Sequence, residues 1–138
     1  MKATVRWLDG VSFVAEADSG HAVVMDGAPE AGGRNLGFRP MEMLLMGLGG
    51  CTAYDVVTIL QKGRQAVTAC RVELSAERAA EAPRVFTAIH IRYLVSGRGL
   101  NPEQVQRAVD LSAEKYCSAS LMLGKTARIT HTVEIAAV

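Results

Sequence analysis

The apolar run PMEMLLMGLGGCTAYDVVTIL, Pro40 to Leu60, constrains this chain more than any other stretch. Only Glu42, Thr52, Asp55 and Thr58 interrupt it, so a helix built from it is apolar almost all the way round and needs cover on every side. Pro40 suits the first helical position, where its missing N–H costs nothing. Lys62 and Arg64 suit the far end, where cations complement the macrodipole, so the spacing predicts one helix from Pro40 to about Arg64. The run approaches the length of a membrane span, but it carries Glu42 and Asp55 and glycines at 47, 49 and 50. No Lys/Arg cluster flanks it and no second span accompanies it. A core helix, with no membrane, is the expectation.

A chain of 138 residues fits one domain, residues 1–138. Its 15 Lys and Arg are interspersed with 14 Asp and Glu, which gives neither nucleic acid nor an acidic membrane a footprint. Aromatics are scarce, so Val, Leu, Ile, Ala and Met must build the core, a soft one suited to sharing surface with a partner. The start, MKATVRWLDG, has no secretory h-region or cleavage site, and a cytoplasmic location is expected. Cys51, Cys70 and Cys117 are odd in number and widely spaced. In such a compartment they read as reactive or buried thiols, not a disulfide framework.

Around the run, Ala3–Leu8, Phe13–Ala17 and His21–Met25 alternate as three short antiparallel strands, with turn signals at Asp9-Gly10 and Asp18-Ser19-Gly20. Residues 26–39 have loop composition and a length that favours function. After the helix, Cys70, Val72, Leu74 and Ala76 share one strand face, and Ile89, Ile91, Tyr93 and Val95 another. A connection at Glu81-Ala82-Pro83 joins the two strands as a hairpin. Asn101-Pro102-Glu103-Gln104 starts a second helix, with Val105, Ala108, Val109, Ser112 and Tyr116 on its apolar stripe. A short apolar turn, Ser118 to Leu123, leads to a last strand with Ala127, Ile129, His131, Val133 and Ile135 on one face. The order is βββ, helix, ββ, helix, β: an α+β fold.

Chemistry centres on the thiols. Gly49 and Gly50 each cost about 1 kcal/mol in a helix interior, so their place beside Cys51 needs a reason. One is a perturbed backbone, after which the chain behaves as a new helix N-terminus that favours a thiolate. The other is close packing, with Cys51 a small buried hydrophobe. Cys117, closing the second helix beside Lys115, could face the first helix, and Cys70 has the surroundings of a bystander. With no CxxC, no HExxH and no close pair of ligands, no metal site is expected. G-x-S-x-G is absent too, and GLGG lies inside a helical pattern instead of following a strand.

RPMEMLLMGLGGCTAYDVVTIL, FTAIHIRYLVSG and RAVDLSAEKYCSASLML, in this order and spacing, resemble the OsmC/Ohr proteins, the osmotically inducible and organic hydroperoxide resistance family. The resemblance covers about residues 1–136. It implies an OsmC-like fold in an intertwined homodimer, with long central helices wrapped by sheets from both chains and sites at the subunit interface. It implies a peroxidase in which Cys51 attacks an organic hydroperoxide and Cys117 resolves the product to a disulfide. An external dithiol, lipoyl groups in better-understood members, would reduce that disulfide with no metal or other cofactor. The family places a glutamate directly after the helix-opening proline, paired with an arginine. Here Met41 follows Pro40, and Glu42 comes one residue later, turned by about 100°. Arg39 and Arg34 are the candidate cations, with Arg6 also available. Two other readings compete. One is a non-enzymatic protein holding a small hydrophobic ligand in an interface pocket lined by Met41, Met43, Met46 and Met122; the other is a thiol–disulfide exchange protein without peroxide turnover.

Overall fold

In the computed structural model, which describes residues 1–137, the chain is α+β with two three-stranded sheets and three helices. It divides into two compact units, Met1–Leu44 and Leu45 onward.

The first unit is the expected meander. Strands β1 (Ala3–Asp9), β2 (Ser12–Ala17) and β3 (Ala22–Met25) pair antiparallel in chain order, and Gly10 turns the first corner at φ 51°. The following loop is organised by Asp26. Its buried carboxylate accepts the backbone N–H groups of Gly27 at 2.7 Å and of Arg34 and Leu36 at 3.1 Å each. Burial alone would raise its pKa. The bonds from Leu36, Gly27 and Arg34, with the Arg34 charge, outweigh that and hold it below the ordinary value of 3.8.

Helix α1 (Pro40–Lys62) is continuous and begins at the predicted proline. In the second unit it lies against a sheet ordered β4 (Ala66–Arg78), β5 (Phe86–Arg98), β6 (Arg128–Ala137). The β4–β5 pair is the predicted hairpin, whereas β6 returns parallel to β5, a connection that needs a long crossover. That crossover holds α2 (Pro102–Leu111), a π-helical turn (Ser112–Tyr116) and α3 (Ser118–Leu123). The expected short turn at Ser118–Leu123 is therefore a helix, which opens at Cys117: the Cys117 Sγ accepts the Ser120 N–H at 3.3 Å.

The start of α2 is as predicted on one side only. Asn101 Oδ1 accepts the N–H groups of Glu103 and Gln104, but the reciprocal bond to the Asn101 N–H comes from Gln65, not from Gln104. Val105, Ala108, Val109 and Ser112 are buried, with Leu48, Val56, Leu60, Ile89, Ile91, Tyr93 and Val95 from α1 and β5. Tyr116 corrects the predicted stripe. It is 51% exposed, because the π turn adds a residue and carries it off the apolar face.

Cover on every side is not what one chain supplies to α1. Leu48, Gly49, Thr52, Val56 and Leu60 form its buried face, while Leu44, Met46 and Tyr54 stand exposed.

Candidate functional site

Cys51 lies mid-helix on α1, half-buried, and of the two readings of Gly49 and Gly50 the perturbed backbone does not hold: α1 runs through them and no new N-terminus forms there. The two glycines differ. A Cβ on Gly49 would sit 2.6 Å from Leu74 Cδ1 on β4, so this glycine exists for close packing of helix on sheet. A Cβ on Gly50 would meet nothing within 4 Å.

Cys117 is fully buried between the π turn and α3. The i→i+5 bond from the Cys117 N–H to the Ser112 carbonyl, 2.9 Å, fixes its backbone. Burial pushes its thiol above the ordinary value of 9.0. Bonding to Ser120 pulls the other way, and the neighbouring Cys51 thiol adds to the upward shift. Sixty-six positions apart in sequence, the two thiols are neighbours in the fold, and both are free. Cys70, half-buried on β4, is raised by burial alone.

Four residues that the sequence did not flag for chemistry join this centre. The Thr52 hydroxyl lies 2.6 Å from the Tyr93 hydroxyl and 2.8 Å from that of Ser112, which donates to Asp55 Oδ2 at 3.0 Å. Thr52, Tyr93 and Ser112 are buried, and together they tie α1 to β5 and to the end of α2. Burial raises Tyr93 above 10.0; the bond to Thr52 opposes that, and Cys117, Cys70 and Asp55 lie near enough to push it further up. His131 meets the Tyr93 ring edge-on, with centroids 6.2 Å apart, and its Nε2 lies 3.4 Å from Asp110. A cavity of about 710 Å³ opens beside Tyr93, His131, Ser120 and Leu121. The available signal was polarity on apolar faces: Thr52 and Asp55 interrupt the long run, and Ser112 and Tyr93 sit in apolar stripes.

The remaining candidates lie in the N-terminal unit. Arg34 pairs with Asp9, and Arg6 with Glu16. The Arg39 guanidinium donates to Asn35 Oδ1 at 2.7 Å and to the Gly37 carbonyl at 3.1 Å. Glu42 accepts the Arg39 N–H at 2.8 Å, so its carboxylate caps the first turn of α1. Arg39 and Glu42 also line a cavity of about 530 Å³ with Leu36 and Phe38. Among the described residues no three His, Cys, Asp or Glu side chains converge as a metal-binding group.

Residues 32–132 match the family model described as OsmC-like protein. The chain belongs to the OsmC-like family. Protein YhfA of Escherichia coli K12 is 53% identical over 140 residues, covering 99% of each chain. Among solved structures with the OsmC-like fold, a hypothetical protein from Aquifex aeolicus VF5 is 27% identical with a TM-score of 0.81, covering 98% of this chain and 96% of its own. An organic hydroperoxide resistance protein OsmC from Legionella pneumophila shares the fold at 15% identity and a TM-score of 0.71, over 96% and 95% of the two chains.

Proposed function

We propose that this OsmC-like protein is a two-cysteine peroxidase that reduces organic hydroperoxides in the cytoplasm. The observation that carries the reading is the pairing of a half-buried Cys51 with a fully buried Cys117 within interaction range. A peroxide can reach the first thiol, and the second is kept protonated until needed.

Cys51, as thiolate, attacks one oxygen of ROOH. The O–O bond breaks, the alkoxide takes up a proton and leaves as ROH, and Cys51 becomes a sulfenic acid. The Cys117 sulfur then attacks the Cys51 sulfur, the S–O bond breaks, water leaves, and a disulfide remains. An external dithiol, of the lipoyl type by family resemblance, returns two electrons and two protons by exchange. Of the candidate arginines, Arg39 has its guanidinium held by neutral acceptors, while Arg34 and Arg6 are paired with carboxylates.

The assembly proposed is a homodimer, supported by the uncovered apolar residues of α1 and by the open space over Gly47 and Gly50. Although α1 has the length and hydropathy of a membrane span, its Thr52 is engaged with Tyr93 and Ser112.

Stoichiometric cumene or t-butyl hydroperoxide should produce a Cys51–Cys117 disulfide, seen by peptide mapping under non-reducing conditions, and Cys51→Ser should abolish peroxide consumption. Absence of the disulfide, with Cys51→Ser as active as wild type, would end the proposal. The apolar-ligand reading draws on the cavity beside Leu36 and Phe38, both exposed; a co-purified apolar molecule in native mass spectra, with Cys51 no more reactive than free cysteine, would favour it.

A further inference from the structure

Ser120 stands between the buried thiol and open space. Its N–H donates to the Cys117 Sγ at 3.3 Å, and the same residue lines the cavity of about 710 Å³. A single residue therefore separates that cavity from a sulfur that is itself fully buried. The wall to which Ser120 belongs is slight. Helix α3 has six residues, too few to hold a helix alone, and it buries only Ser120, while Leu121, also in the cavity wall, is 45% exposed. The lining further includes Lys125 and Arg128 against one carboxylate, Glu114. Neither cation is in an ion pair among the described residues, so both are free to favour the thiolate form of an incoming thiol.

We propose that this cavity is the docking site of the external dithiol, which displaces Ser120 and the start of α3 and attacks the disulfide at Cys117 rather than at Cys51. The inference rests on the two-cysteine reading and names the route by which its reductant arrives. Burial holds the Cys117 thiol above its ordinary value, so Cys117 is a poor leaving group, and attack at Cys51, which would expel it first, is the slower course. One thiolate of the dithiol bonds to the Cys117 sulfur, the Cys51–Cys117 bond breaks, and Cys51 leaves with the electron pair and takes up a proton. The second thiolate then attacks the dithiol's own first sulfur. The ring closes, and Cys117 leaves and is protonated, a step made easier because it is intramolecular. Two electrons and two protons have passed from the dithiol to the protein. In the reduced protein α3 lies closed over Cys117, with the Ser120 N–H on its sulfur, and shields that thiol from peroxide.

The test starts from the Cys51–Cys117 disulfide made with diamide, an oxidant that needs no peroxidase activity. One equivalent of 2-mercaptoethanol, with acid quenching at intervals and alkylation, should place the mixed disulfide on Cys117 and leave Cys51 as the alkylated free thiol in peptide maps. In Leu121→Trp, whose ring fills the cavity, the rate of reduction by dihydrolipoate relative to the rate of diamide oxidation should fall about 10-fold, because exchange depends on access to the attacked sulfur. Leu121→Ala, which widens the cavity, should be reduced at least as fast as wild type. A mixed disulfide on Cys51, or Leu121→Trp reduced as fast as wild type, overturns the docking site. If diamide gives the disulfide and cumene hydroperoxide does not, the peroxidase reading falls while the same two measurements still decide the docking site. If neither oxidant gives it, both fall.

Discussion

Gly49 and Gly50 are neighbours of the same residue type in one helix, and the structure assigns them opposite tolerances. Each gains about 0.8–1 kcal/mol of helix propensity on replacement by Ala. At Gly50 nothing within 4 Å in the same chain opposes the new methyl, so the full gain should appear at protein concentrations low enough to keep a second copy off this face. For a chain of this length that is a rise of about 3–5 °C in Tm. At Gly49 the methyl would lie 2.6 Å from Leu74 Cδ1, roughly 1 Å inside ordinary carbon contact. Leu74 Cγ and Cδ2 are already at 3.7 Å, so the clash falls on one methyl, and relief requires Leu74 to turn or α1 to lift. Overpacking of this kind costs about 1–3 kcal/mol. The net effect of Gly49→Ala is thus between roughly zero and a loss of about 2 kcal/mol, leaving it about 1–3 kcal/mol below Gly50→Ala. Thermal and urea unfolding followed by circular dichroism, at several protein concentrations, measures the difference. The concentration series matters because a second copy over the Gly50 face would make its melting concentration-dependent. Gly49→Ala melting at or above Gly50→Ala at every concentration would refute the packing argument.

Asn101→Ala should cost about 1 kcal/mol in urea unfolding, since Asn101 Oδ1 satisfies two N–H groups at the start of α2. The depressed pKa of Asp26 means a contribution fully present above about pH 4 and lost as pH falls through its folded value. Acid titration of stability should therefore be steeper below pH 4 in wild type than in Asp26→Asn. Cys117 and Tyr93 are raised above 9.0 and 10.0, so their contribution is complete below pH 9 and fades as pH rises through the higher folded values. Melts recorded between pH 8 and 11 should fall less in Cys117→Ser than in wild type.

Elements governed by local chemistry were legible in the sequence: the meander with Gly10 at its corner, Pro40 at the start of α1, the alternation of β4 and β5, and Asn101 as cap. Each depends on residues a few positions apart. The pairings that build the site do not. Thr52 reaches Tyr93 across 41 positions, Asp55 reaches Ser112 across 57, and Thr52 reaches Ser112 across 60. In sequence these residues are only polar interruptions of apolar patterns. The difference between Gly49 and Gly50 was equally hidden, because it depends on where Leu74 of a later strand comes to lie. The parallel return of β6 was also out of reach, since a strand's own alternation does not state its neighbour or direction.

The placement of Cys117 shows how a single irregularity decides the site. Continued α-helical spacing from Ser112 brings Tyr116, four residues on, to the buried face. The chain instead closes an i→i+5 bond at Ser112, and the inward position passes to Cys117, which is fully buried while Tyr116 is half exposed. Ser112 is held at both ends of its own structure: its carbonyl accepts the Cys117 N–H, and its hydroxyl is fastened to Thr52 and Asp55 of α1. The helix that carries Cys51 therefore also anchors the turn that presents Cys117 to it. A periodicity of 3.6 cannot reveal that extra residue, because the groups that hold Ser112 there lie on another helix, 57 and 60 positions away.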